Sequence, residues 1–308
     1  MRQERIIFMG TPEISKVYLQ SLIEYKYNII AAYTQPPRKK GRGLQIQKSP
    51  VHKLSLKHNI PVYYPNNFAS LDTIDEFKKL NSDIAIVMGY GILLPKGIIE
   101  APIHGSINIH VSLLPRWRGA APIEHALLNG DKVTGVSIFQ LKEKLDAGPI
   151  IAKQKIDIDA NICKEDLTIQ LNTMGTSLLN KILPDFFDKK IILQKQNENK
   201  ATYAKKITSK HRKINFNNDV KIIYNQIRSF APKPSAWFVL NNERINIIKC
   251  SIKICDAEVS TIMNDQFHIG CRNGKIIPQI IQRQGKKPME ISEFLKGFTF
   301  KIGQKINA

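Results

Sequence analysis

Residues 1–160 alternate short β-rich apolar runs with segments of helical spacing, and this rhythm limits the possible folds more than any other property of the chain. Strands are expected at Arg5–Met9, Asn28–Tyr33, Pro61–Tyr64, Asp83–Met88, Ser106–Val111 and Thr134–Leu141. Between them, Glu13–Tyr25, Val51–His58, Leu71–Leu80 and Pro122–Leu128 carry apolar residues at helical spacing. Such an α/β alternation buries its apolar faces as a doubly wound (Rossmann-like) parallel sheet with helices on both sides. Gly10 and Gly89 end strands where a tight turn into a helix is needed. No GxGxxG follows the first strand, so a dinucleotide site is not indicated.

The rhythm changes further along. A helix is expected over Glu165–Asp188, followed by a polar linker at Gln194–Ala201. Tyr203–Ile207 then leads to a helix at Asp219–Ser229. β-rich runs follow at Arg244–Ile254, Glu258–Met263, Phe267–Cys271, Ile276–Gln282 and Phe298–Ile302. Many short strands in so little chain predict a small β barrel. The expected division is a catalytic domain at 1–190, a linker at 191–206 and a basic C-terminal domain at 207–308, and 308 residues suffice for both cores.

With 43% hydrophobic and 23% charged residues the chain reads as an ordinary globular protein. Met1–Gly10 lacks a secretory signal, and the longest apolar stretch, Ile84–Ile99, is interrupted by Gly89, Gly91, Pro95, Lys96 and Gly97, so no membrane span is expected. The expected location is the cytoplasm, and a monomer is expected. Cys163, Cys250, Cys255 and Cys271 read as free thiols, and neither they nor the histidines show metal-ligand spacing, so no metal is expected.

The formal net charge of +20 implies an acidic partner, nucleic acid first and a membrane surface second. A compositional bias toward Lys, Ile and Asn is the alternative reading. Segregation favours a binding surface: from Lys195 onward there are 21 Lys/Arg against 8 Asp/Glu. Pro36–Ser49 is a second basic segment, with Arg38, Lys39, Lys40, Arg42 and Lys48 and no acid. It is either a solvated loop or a loop that reaches a nucleic-acid groove.

Asn108 and His110 stand two apart on the strand expected at Ser106–Val111, so they share a face near its C-terminal end, where α/β sheets place their sites. An amide can donate to a developing oxyanion, an imidazole can move a proton, and a carboxylate can orient the imidazole. Asp146, in Leu145-Asp146-Ala147-Gly148, is the candidate carboxylate, with simple turn chemistry as its other reading.

This set resembles the formyltransferases that use 10-formyltetrahydrofolate. The shared motifs are Asn-x-His at 108–110, Ser-Leu-Leu-Pro within Ser112–Pro122 and Leu-Asp-x-Gly at 145–148. Met9–Pro12, Gly41-Arg42-Gly43, Gly89-Tyr90-Gly91 with Leu94-Pro95, and Arg228-Ser229-Phe230 with Pro232 and Pro234 follow in the family's order. The likeness is greatest to the branch acting on charged initiator tRNA. It implies that Asn108, His110 and Asp146 are catalytic, and that 10-formyltetrahydrofolate is the donor, held by Ser112, Leu113, Leu114 and Pro115 with Gly89, Tyr90 and Gly91. It also implies an OB-like C-terminal barrel and a methionyl initiator tRNA partner. Arg42, Lys39 and Lys40 would contact the acceptor end. Lys205, Lys206, Lys210, Lys286 and Lys287 are candidate phosphate contacts. The chain departs from the family pattern at Pro37–Lys40 and at Pro149. Transfer to a small amine, hydrolysis of the donor, and RNA binding without catalysis are the competing activities.

Overall fold

The computed structural model describes residues 3–40 and 45–306. The chain forms two compact units. One draws on the chain up to Gly119, on Gly135–Ile156 and on Ile169–Tyr203; the other draws on Ala120–Thr134, Asp157–Thr168 and the chain from Ala204 onward.

In chain order, the elements up to the end of the expected catalytic domain are β1 (Arg5–Gly10), α1 (Glu13–Glu24), β2 (Asn28–Tyr33), β3 (Arg38–Lys40), β4 (Gln45–Gln47), α2 (Pro50–Lys57), β5 (Val62–Tyr63), α3 (Leu71–Lys79), β6 (Ile84–Met88), α4 (Lys96–Ile99), β7 (Ser106–His110), β8 (Arg118–Gly119), α5 (Pro122–Leu128), β9 (Val133–Gln140), β10 (Ile150–Asp157) and α6 (Lys164–Phe187). The main sheet runs β10-β9-β7-β6-β1-β2-β5. The pairs β1–β2, β1–β6, β2–β5 and β6–β7 are parallel. β9 runs antiparallel to β7, so the sheet is mostly, not wholly, parallel.

β1 is central because both its faces are covered: Ile6, Ile7, Phe8 and Met9 have no exposure. Ile7 and Met9 pack with Ala31, Tyr33, Ala85 and Val87 against Phe68, Phe77 and Ile98. Two features went unread in the sequence. The basic segment carries the β3–β4 hairpin, with Arg38 opposite Gln47, and β10 adds an edge strand. Only the first two residues of β10 are buried, so its hydropathy pattern is weak.

The stretch expected as a linker is packed into the first unit. Gln194 exchanges backbone hydrogen bonds with Ile150 at 2.8 and 2.9 Å, and Gln196 is buried.

The remaining elements are β11 (Tyr203–Ala204) and then, in the second unit, α7 (Ser209–Arg212), α8 (Val220–Phe230), β12 (Ala236–Leu240), β13 (Glu243–Lys253), β14 (Ile269–Cys271), β15 (Gly274–Arg283), β16 (Met289–Glu290) and α9 (Ile291–Gly297). An antiparallel sheet runs β12-β13-β15-β14, with β16 paired to β15. Ile223, Ile227 and Phe230 of α8 join Phe216, Phe238, Phe267 and Phe294 in its core. Helix α5 packs on α8. Arg228 donates to the carbonyls of Asp159 and Ile162, each at 3.4 Å, so 157–168 also belongs to this unit. The strands expected at Glu258–Met263 and Phe298–Ile302 are not ladders: Thr261 and Ile262 form isolated bridges, to Lys305 and Ile269.

Candidate active site

Strand alternation sends Ile107 and Ile109 into the core and leaves Asn108 and His110 on the other face of β7. Asn108 is half-buried, and its side-chain amide finds no hydrogen-bond partner among the described residues. His110 is buried. Its Nε2 lies 2.7 Å from the Trp117 carbonyl, and a carbonyl only accepts, so Nε2 carries the hydrogen. Its Nδ1 faces Asp146 Oδ2 at 3.8 Å, within ion-pair reach.

Asp146 arrives there against the run of the chain. Gln140, the last residue of β9, pairs with Ile107 at the beginning of β7, whereas His110 ends that strand. The loop after β9 therefore doubles back by three strand residues, roughly 10 Å. Asp146 sits at φ 47° in the left-handed region, which aspartate tolerates better than most residues. Its Oδ2 accepts from the Gly119 N–H at 2.7 Å. Gly148 must lack a side chain, because a Cβ would stand 1.7 Å from the Gln140 carbonyl oxygen.

The loop Ser112–Pro115 leaves β7 beside this pair and is tied down from below. Ser137 Oγ donates to Ser112 O at 2.7 Å and accepts from the Leu114 N–H at 3.0 Å. Lys153 Nζ donates to Leu114 O at 2.6 Å, and burial lowers the Lys153 ammonium from its ordinary value. Ser112 Oγ donates to Arg116 O at 2.6 Å. The Leu114 side chain is packed against Phe139 and Ile150, whereas Leu113 and Pro115 are partly open.

Gly89 and Gly91 have φ of 58° and 77°, turning the chain sharply after β6. The Tyr90 carbonyl between them accepts from Thr11 Oγ1 at 2.9 Å and Gln35 Nε2 at 3.1 Å. The Tyr90 ring points into the core beside Phe68, and burial raises its phenol above the usual range. Among the described residues, no group of three or more His, Cys, Asp and Glu side chains is gathered to hold a metal. A cavity of about 570 Å³ lies elsewhere, lined by Ile23, Lys26, Asn28, Ile29, His58 and Ile60 at the opposite end of β2 from Tyr33.

Of the basic candidates, Lys39 and Lys40 lie on β3 with Lys39 exposed, and Arg42 lies outside the described residues. Lys205, Lys206, Lys210, Lys286 and Lys287 are all exposed. One basic feature was missed. Arg244 Cζ stacks 4.3 Å over the Trp237 ring, and burial together with the nearby Arg212 charge lowers the Arg244 guanidinium from its ordinary value. Trp237, Asn246 and Gln282 stand in register across β12, β13 and β15. Alternation within Ala236–Leu240 and Glu243–Lys253 is the signal that could have found this face.

An α/β unit with a histidine–carboxylate pair at a strand end, in a chain that also carries an antiparallel second unit, gives a site with the groups to move a proton. The chain belongs to the formyl transferase family: the formyl transferase model matches residues 4–183 and its C-terminal domain model matches 206–299. It is 39% identical over 298 residues to methionyl-tRNA formyltransferase of Brucella ovis, covering 95% of this chain and 97% of that protein. It is also 39% identical over 301 residues to methionyl-tRNA formyltransferase of a Wolbachia strain from Drosophila simulans, covering 98% and 99%. Among solved structures, the Helicobacter canadensis N-formyltransferase with folinic acid and dTDP-3-aminofucose superposes with TM-score 0.69 at 21% identity, over 90% of this chain and 98% of that one. That likeness concerns the fold. No helix among the described residues is long and apolar enough to cross a membrane.

Proposed function

We propose that the chain transfers the formyl group of 10-formyltetrahydrofolate to the free amino group of methionine on initiator methionyl-tRNA. The observation that carries this reading is the approach of His110 and Asp146 to 3.8 Å, at the end of the strand that also presents Asn108, in a chain matching relatives named methionyl-tRNA formyltransferase over 95% of its length. The residues suit the donor: a partly open Leu113–Pro115 loop held on Ser137 and Lys153, at the end of the strand whose Asn108 amide has no partner among the described residues.

The attacking amine forms a bond to the formyl carbon, the bond from that carbon to the folate nitrogen breaks, and one proton passes from the amine to the departing nitrogen. Asn108 donates to the carbonyl oxygen as it gains charge, and removal of such a donor costs about 3 to 4 kcal/mol. His110 moves the proton. Because Nε2 donates to Trp117 O, the Nδ1 edge beside Asp146 has to supply this exchange, unless the Trp117 contact opens. Asp146 orients the ring and balances its charge when protonated. The tRNA is held by the exposed lysines of the C-terminal unit, by Lys39, Lys40 and Arg42, and by the Trp237–Arg244 face. This reading carries with it a cytoplasmic location and a monomeric enzyme.

The test is transfer of labelled formyl from 10-formyltetrahydrofolate to methionyl-tRNA, with amino sugars and free amines as parallel acceptors and a formate-release control without acceptor. Label on the tRNA that disappears in His110→Ala supports the proposal. Label only on small amines, or only as formate, refutes it.

A further inference from the structure

Trp117, Arg118 and Gly119 approach the His110–Asp146 pair together. The Trp117 carbonyl accepts from His110 Nε2, and the Gly119 N–H donates to Asp146 Oδ2, both at 2.7 Å. The residue between them carries the largest fully buried side chain among the described residues, a guanidinium at 0% exposure. Arg118 donates to Gln196 Oε1 from Nη2 at 2.9 Å and from Nε at 3.3 Å. It also donates to the Glu198 carboxylate from Nη2 at 2.8 Å and from Nη1 at 3.1 Å.

Gln196 closes the circuit. Its Nε2 donates to the carbonyls of Asp146 at 2.8 Å and Gly148 at 2.7 Å, on either side of the turn that presents the carboxylate. The backbone of the tripeptide is anchored too, through Trp117 N–H to Thr202 Oγ1 at 2.9 Å and Arg118 N–H to Thr202 O at 2.8 Å. One residue thus fixes the histidine's carbonyl partner and the carboxylate's amide partner through its backbone, and reaches the peptide of the carboxylate through its side chain.

Desolvating a guanidinium completely is expensive, and packed apolar side chains usually give equal or better stability at such a position. What this arrangement provides instead is geometry. Asp146 occupies a left-handed conformation, which a non-glycine residue keeps only when its surroundings over-determine it. We infer that Arg118 and Gln196 are positioning residues: they hold the Asp146 turn so that its carboxylate faces His110, and they touch no reacting atom. The kinetic part of this inference rests on the proposed formyl transfer.

Gln196→Glu tests it, because it keeps an oxygen for Arg118 and sets a second oxygen, in place of the amide donor, against both carbonyls. Loss of a hydrogen bond that orients such a group is expected to lower activity about 10- to 100-fold, the range known for the partners behind metal ligands. We expect that loss in kcat, with KM for donor and tRNA within about twofold, in a protein whose melting temperature falls because two buried carbonyls lose their donor. Combined with Asp146→Asn, Gln196→Glu adds no further loss, since both act through one carboxylate. The ¹⁵N resonances of the His110 ring also move in Gln196→Glu, whatever reaction the protein runs. Wild-type kcat in Gln196→Glu, multiplied losses in the double variant, or unmoved His110 resonances overturns the inference. Absence of transfer by the wild-type protein would overturn the proposed reaction instead, and the ring resonances still decide the positioning role.

Discussion

Ser137 stands directly across the β7–β9 ladder from His110, and its hydroxyl bridges Ser112 O and Leu114 N–H within the loop that follows the histidine. The strand facing the imidazole is therefore the same strand that fixes the floor of the proposed donor site. Ser137→Ala leaves the buried Leu114 N–H without this acceptor, at a cost of about 1 to 3 kcal/mol. Denaturant unfolding measures that loss. Steady-state kinetics should show KM rising for the formyl donor and holding for tRNA; an equal rise for both substrates contradicts the assignment of this loop.

Asn108→Ala should lower kcat about 100- to 1,000-fold, the usual consequence of removing an oxyanion donor. Since the Asn108 amide has no partner among the described residues, the melting temperature should hold. A kcat within tenfold of wild type removes Asn108 from the reaction.

The same strand shows what could be read from sequence. Two polar residues alternating with Ile107 and Ile109 mark one face of a strand; β1 and β2 were plain as short apolar runs, and α5 because its buried residues recur at helical spacing. Asp146 was a candidate in the sequence with turn chemistry as its rival, and the family likeness favoured it, because no spacing rule fixes where a loop returns across a strand. Gln196 gave no signal: glutamine in a polar stretch looks the same exposed or buried. The Trp117 carbonyl gave none either, since every residue owns one. Thr261, Ile262 and Phe298 were misread as strand because they are buried, and hydropathy reports burial without reporting ladder pairing. β12 went unread, following closely on Pro232 and Pro234, which suggest a turn.

Glu198 gives a pH prediction. Hydrogen bonds from Arg118, and then from Lys144, hold its carboxyl down to about 2 from an ordinary 4.5. A depressed acid stabilises the folded state fully above its unfolded value, and that contribution fades as pH falls toward the folded value. The difference in melting temperature between wild type and Glu198→Gln should therefore be constant above pH 4.5 and shrink between pH 4.5 and 2. A difference that is flat across that window refutes the linkage.

The Arg244–Trp237 stack predicts a salt effect. If Arg244 neutralises one RNA phosphate, Arg244→Ala should weaken tRNA binding and reduce the slope of log affinity against log salt by about 1. Filter binding across a salt series measures it. An unchanged slope places Arg244 outside the interface.

The order of segments in the second unit has a consequence for how such a chain can be cut and inherited. Helix α5 comes from the early half of the sequence yet packs on α8, and the carbonyls of Asp159 and Ile162 serve Arg228. A fragment starting after residue 206 would leave α8 with a bare apolar flank and a stranded guanidinium. The tail is thus no detachable cassette: recombination that swaps this unit between relatives must carry two internal patches along with it.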